Sequence, residues 1–141
     1  MKLYESRAPN AWRVKAFLAE KGIDIPRQTI SVVEGDTRKP DFLAINSLGE
    51  VPVLELDDGT RITESIAICR YLESLHPTPA LFGTTPLAQA QVEMWNRRME
   101  QQIFGYCAQF GLHMIPFFAD KIEQMPEYAC LLYTSDAADD W

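Results

Sequence analysis

Cysteine, histidine and positive charge are all scarce in this chain. The three cysteines, Cys69, Cys107 and Cys130, stand far apart and no CxxC pair occurs. That spacing excludes a dithiol redox centre and a zinc knuckle. The two histidines, His76 and His113, are too few and too separated to predict a metal site. Lys and Arg number 13 against 20 Asp and Glu, a formal net charge of −7. A nucleic-acid binder needs clustered cations to displace counterions from phosphates, so no nucleic-acid partner is expected. No apolar run is long enough to cross a bilayer, and no charged-then-apolar leader opens the chain. The expectation is a soluble, cytoplasmic protein without a membrane partner.

What is present is enough for a core. The 141 residues are 47% hydrophobic and 23% charged, which suits one ordinary domain, or one small domain with part of another. Lys2 to Tyr4 reads as a strand. Asn10 is the expected N-cap of a helix whose apolar positions Ala11, Val14, Phe17 and Leu18 keep helical spacing, with Gly22 as its C-terminal cap. Tyr4 and Trp12 read as core residues. Gln28 to Val32 predicts a second strand and Pro40 to Ile45 a short helix. Val51 to Leu56 and Arg61 to Thr63 predict a hairpin across Asp57-Asp58-Gly59. A helix from Glu64 to Leu75 follows, with Ile68, Cys69, Leu72 and Leu75 on one face.

The order βαβαββα predicts an α/β layer for residues 1–76. Residues 77–86 are rich in proline and read as a linker. Thr85-Pro86 is a helix start, since proline suits the first helical position. Residues 87–130 carry a helical pattern, with Ala90, Met94, Trp95 and Ile103 in register, that Gly105, Gly111 and Pro116 are expected to interrupt. Residues 131–141 show no apolar period and no caps, and are set apart as a non-native tail. Without its Asp136, Asp139 and Asp140 the net charge of −7 becomes −4.

The runs RVKAFLAEKGI, KPDFLAINSLGEVPVLELDDG and ITESIAICRYLESL stand in an order that resembles the glutathione S-transferase family, near its theta and phi classes of bacterial or fungal type. The likeness extends from Met1 to about Tyr128. It implies a thioredoxin-like N-terminal domain followed by a partial all-α C-terminal domain, truncated before its remaining helices. The implied activity is transfer of glutathione thiolate to a small soft electrophile, as in detoxification; a non-catalytic binding protein of the same fold, or an inactive truncated fragment, is the alternative. Glutathione is then a co-substrate and no further cofactor is expected. The implied assembly is a homodimer of the full-length parent.

The residue roles follow from the same resemblance. Val51-Pro52 is implied to be a cis-proline turn whose Val51 backbone pairs with the cysteinyl part of glutathione; an edge-strand proline without a ligand is the alternative. Ser65, at a helix start, suits a carboxylate, and Glu64 suits an ammonium, which together would hold the γ-glutamyl head; an ordinary acidic helix start is the alternative. Arg38 and Lys39 are placed by resemblance at the glycyl carboxylate, or else are solvated surface. Glu50 departs from the usual polar or basic residue there, and an acid repels that carboxylate.

Catalysis needs a donor beside the sulfur, because the thiolate is the nucleophile. In Ser-type members a serine stands where this chain has Ala8. Three substitutes remain open: Ser6 through a bent loop, Asn10 through its amide, and His113 directly or through water. Loop, cap and ordinary half-buried histidine are their alternatives. Cys69 reads as packing.

Overall fold

Two apolar faces on one short strand build the first layer. The computed structural model describes residues 1–135. Strand β1 (Lys2–Glu5) pairs in parallel with β2 (Arg27–Thr29) and antiparallel with β3 (Val53–Glu55), and β3 pairs antiparallel with β4 (Arg61–Ile62). The sheet order is β2-β1-β3-β4. In the register Tyr4 stands opposite Val53 and Leu3 opposite Leu54, so the two pairs face opposite sides of the sheet. Tyr4 and Val53 cluster with Ile30, Phe42 and Val51, Phe42 coming from the short helix α2 (Pro40–Leu43). The Tyr4 and Phe42 rings meet edge to face at 6.2 Å.

Helices α1 (Pro9–Lys21) and α3 (Ser65–Leu75) pack together and bury Ala11, Val14, Leu18, Ile68, Cys69 and Leu72. Leu3, Leu18, Leu54, Ile68 and Leu72 are fully buried, each worth about 1.5–3 kcal/mol of transfer free energy. The observed order is the predicted βαβαββα. The hairpin turns at Gly59, whose φ is 84°, with Leu56 and Thr60 closing it at 2.8 Å. Gly22 ends α1 in the left-handed conformation at φ 64°.

Several expectations are corrected. Helix α1 starts at Pro9, with Ala8 rather than Asn10 at the N-cap, because Pro9 suits the first helical position and the Ser6 hydroxyl takes the Ala8 N–H at 2.9 Å. Trp12 is 56% exposed, on the side of α1 away from Ala11 and Val14, where the Lys15 ammonium lies 4.4 Å from its ring centre. Leu75 is exposed at the last residue of α3. Strand β2 is shorter than predicted and exposed throughout, as an edge strand.

The chain divides into two compact units, Met1–Leu81 and the stretch from Phe82 onward. In the second unit, α4 (Pro86–Arg98) begins at Thr85, whose hydroxyl accepts the Ala88 N–H at 3.2 Å. A wider π-helical turn, Met99–Phe104, joins it to α5 (Gly105–Met114). Gly105 and Gly111 therefore lie within helix rather than interrupting it, and the break comes at Ile115-Pro116. Helix α6 (Pro126–Ser135) packs on α5 and runs into the stretch set apart as a tail. Residues 131–135 are thus helical, where the sequence offers no apolar period and no caps; residues 136–141 lie outside the described residues. No described helix is long and apolar enough to cross a membrane.

Candidate functional site

The end of the β1–β3 ladder sets the site. Register stops at Tyr4 opposite Val53, so the residues before β3 have no partner strand. Val51 lies there, its side chain sunk in the cluster under Tyr4 and Phe42 and its peptide bond to Pro52 cis. The backbone edge of Val51 is left to face a cleft. Asn10, Asn46, Glu50, Val51, Pro52, Thr63, Glu64 and Ser65 line it.

The loop leading into Val51 is tied down from three sides. Asn46, itself buried, donates from Nδ2 to the Glu50 carbonyl at 2.9 Å and accepts the Leu48 N–H at 3.2 Å. Gly49 sits at φ 65° with its α-carbon pressed so close to Arg38 that an added Cβ would stand 2.7 Å from Nη1. Arg38 Nη1 donates to the Leu48 carbonyl at 3.0 Å. Lys39 turns back one helical turn to Asp36 at 2.5 Å. That hydrogen bond holds the Asp36 carboxyl below its ordinary pKa and lifts the Lys39 ammonium above its own. Arg38 thus braces the loop from behind, and neither it nor Lys39 lines the cleft.

The opposite wall is the start of α3. Glu64 holds φ 63° and ψ 116°, the one non-glycine residue at positive φ among the described residues. Such a conformation costs of order 1–3 kcal/mol and is kept where the surroundings fix it. It turns the chain so that the buried Ser65 opens α3 at the cleft. Arg13, reaching across from α1, donates from Nη1 to Ser65 Oγ at 2.6 Å. The Ser65 oxygen is thereby an acceptor toward Arg13, and its own O–H proton is directed elsewhere. The arrangement suits a zwitterionic head: an anion at the N–H groups and hydroxyl of the helix start, a cation at Glu64.

The three candidates for the sulfur sit on different elements. Asn10 lines the cleft with Val51 and Ser65. Its N–H and that of Ala11 precede the first intrahelical bond, from Trp12 to Ala8 at 3.1 Å. Ser6 is buried, its hydroxyl accepting the Ala8 N–H and its carbonyl accepting Lys15 Nζ at 3.0 Å, and it does not line the cleft. His113 belongs to the second unit, where Nδ1 accepts the Met125 N–H at 3.2 Å and the ring meets Tyr128 edge to face at 5.3 Å. Cys69 is buried behind this wall, and desolvation pushes its thiol up to about 12. No group of three or more metal-ligating side chains occurs among the described residues.

Arg13, Asn46 and Thr63 join the site without having been singled out from sequence. Asn46 precedes a tight Ser-Leu-Gly turn, which is a local signal. Arg13 meets Ser65 across 52 positions and leaves no local one.

A family model described as the N-terminal domain of glutathione S-transferase matches residues 8–75. Glutathione S-transferase 2 of Saccharomyces cerevisiae is 39% identical over 126 residues, covering 87% of this chain and 54% of that protein. A maleylacetoacetate isomerase of Pseudomonas aeruginosa is 39% identical over 94 residues, covering 64% and 44% respectively. A solved structure of a glutathione S-transferase domain-containing protein from Marinobacter aquaeolei superposes with a TM-score of 0.86 at 33% identity, over 96% of this chain and 69% of the other. The chain spans about half the length of the curated relatives it matches.

Proposed function

Because the chain belongs to the glutathione S-transferase family, we propose that it holds glutathione along Val51 and at the start of α3 and delivers the sulfur, as thiolate, to a soft electrophile. The observation that carries this reading is the meeting of the unpaired Val51 edge, Glu64 and Ser65 in one cleft. The γ-glutamyl carboxylate accepts the Ser65 N–H and O–H, with Arg13 holding the Ser65 oxygen in place. Glu64 pairs with the α-ammonium. The cysteinyl N–H and C=O bond the Val51 backbone, which aims the sulfur at the start of α1.

Ala8 carries no donor, and of the two candidates in the first unit Asn10 lines the cleft while Ser6 does not. We assign Asn10 the role of donating its amide to the thiolate, supported by the N–H groups at the end of the α1 dipole. The thiol proton leaves to solvent. The sulfur lone pair forms the C–S bond, and the leaving group departs with its electron pair.

The test is glutathione-dependent turnover of a chromogenic aryl halide by the 141-residue chain, with maleylacetoacetate isomerisation as a second assay prompted by the isomerase relative. Turnover in either is expected; tight glutathione binding with no turnover overturns the catalytic reading. Ala8 favours one second reading, a glutathione-binding protein that does not activate the thiol. The ultraviolet absorbance of bound thiolate near neutral pH separates the two. Its appearance supports the enzyme, and binding without it supports the binding protein.

A further inference from the structure

We propose that Lys15 is a positioning residue for the glutathione thiolate, acting from outside the cleft through the loop between β1 and α1 and through the charge of Glu5. The proposal rests on the reading above, in which the sulfur is aimed at the start of α1. Lys15 lies within α1, and its side chain runs back to the end of β1. There its ammonium donates to the Ser6 carbonyl at 3.0 Å and stands 3.2 Å from Glu5 Oε2. The centre of the Trp12 ring is 4.4 Å from the same ammonium. The Lys15 and Glu5 side chains are only 17% and 13% exposed, so their charges are poorly screened.

The sulfur position feels this pair in two ways. The first is mechanical. The Ser6 hydroxyl takes the N–H of Ala8, the N-cap of α1, at 2.9 Å. Holding the Ser6 carbonyl therefore holds the loop that delivers Asn10 to the cleft. The second is electrostatic. Glu5 Oε2 is buried and accepts no hydrogen bond, and its ion-pair partner among the described residues is Lys15. Glu5 cannot turn away, because its carbonyl accepts the Ile30 N–H at 2.7 Å within the sheet. The other cations nearby do not replace Lys15: Arg13 is turned to Ser65, and Arg7 is exposed to solvent. The few residues from Glu5 to Asn10 put the carboxylate on the order of 10 Å from the sulfur position. At an effective dielectric constant of about 20 to 40, an unopposed carboxylate there raises a thiol pKa by roughly 0.6–1.2 units. Lys15 cancels that charge, so the thiolate forms beside a neutral pair.

Titration of glutathione bound to the full chain at low salt tests the proposal. The thiolate is read by ultraviolet difference absorbance against the protein alone, which removes the contribution of Cys107 and Cys130. Lys15→Met is expected to move the midpoint up by roughly 0.6–1.2 pH units. Lys15→Arg, which keeps the charge, stays close to wild type. Glu5→Gln leaves the cation unopposed and moves the midpoint down. Glu5→Gln combined with Lys15→Met returns it toward wild type. Opposite signs in the two single variants mark a charge effect, since loosening of the loop moves both midpoints the same way. If Lys15→Met fails to fold, the downward shift in Glu5→Gln decides. Midpoints that stay fixed, or that move in the same direction in both single variants, overturn the proposal and leave the glutathione reading standing. If the wild type binds no glutathione, that reading falls and this proposal falls with it.

Discussion

Ser65 accepts Arg13 through its oxygen and lines the cleft, so one hydroxyl joins two helices, and on the proposed reading its proton goes to the γ-glutamyl carboxylate. Ser65→Ala removes a hydrogen bond to a charged group, worth about 1.5–3 kcal/mol. The expected result is a tenfold or greater loss of glutathione affinity by calorimetry; an unchanged Kd refutes the role given to Ser65. Asn10→Ala acts differently, on the sulfur rather than the head. Each pKa unit of a bound thiol corresponds to about 1.4 kcal/mol, so losing one donor lowers the thiolate fraction about tenfold near neutral pH. Kd changes little in that variant while the thiolate absorbance midpoint moves to higher pH. Cys69 supplies an independent check on burial. With its thiol raised to about 12, it stays unmodified by iodoacetamide at pH 8 while the exposed Cys107 and Cys130 react. A raised folded pKa favours the fold below the unfolded value and loses that favour above it, so this thiol weakens stability from about pH 9 toward 12. Of the candidate site, Val51, Pro52, Glu64 and Ser65 are legible in the sequence as short ordered motifs, and they line one cleft. Arg13 is not, because its role arises only when α1 and α3 pack.

Elements are joined in the first unit by a buried cation. The Lys21 side chain is fully buried at the end of α1; its ammonium pairs with Glu73 of α3 and donates to the carbonyls of His76 at 2.7 Å and Pro79 at 2.5 Å. Glu73 in turn accepts the Leu81 N–H at 2.8 Å. One lysine and one glutamate thus tie the ends of two helices to the segment after α3. Breaking a buried pair by removing one partner costs about 3–5 kcal/mol, because the other charge is left uncompensated. Lys21→Ala is expected to lose that much in urea unfolding, and Lys21→Met with Glu73→Leu together to lose much less. Equal losses in the two proteins contradict the pairing. The loop before β3 has a different weak point. Gly49→Ala would force a Cβ to 2.7 Å from Arg38 Nη1 and 2.8 Å from the Thr37 carbonyl, at a φ that alanine rarely adopts. It disturbs the Glu50-Val51 backbone and lowers glutathione affinity along with stability. Element types were readable because Gly22, Gly59 and Thr85-Pro86 punctuate the chain with strong local signals. Boundaries slipped where tertiary contacts decide. The Ser6 hydroxyl moved the α1 cap to Ala8, and α6 extends to Ser135 through residues without an apolar period.

At the scale of the whole molecule the two units differ in how they dispose of apolar surface. Met1–Leu81 buries complete side chains on both faces of its sheet, whereas α4 and α5 contain no buried residue. Met94, Trp95, Met99, Ile103, Phe110 and Met114 are all exposed, and among the described residues of these two helices and α6 only Ala129 is buried. Exposed apolar side chains grouped on successive helices promote association. The net charge of −7 works against it, since like-charged chains repel over about 10 Å at 0.1 M salt. The two effects respond oppositely to salt: screening removes the repulsion and leaves the apolar attraction. Light scattering on the 141-residue chain is therefore expected to show a mass that grows with protein concentration and with salt, with binding of an apolar dye in parallel. Amide exchange is expected to be slowest at Leu3, Leu54, Leu18 and Leu72 and fast throughout α4 and α5, because opening the second unit uncovers little that is buried. A monodisperse monomer at all salt concentrations, melting in one cooperative step with α4 as protected as α1, would contradict this account.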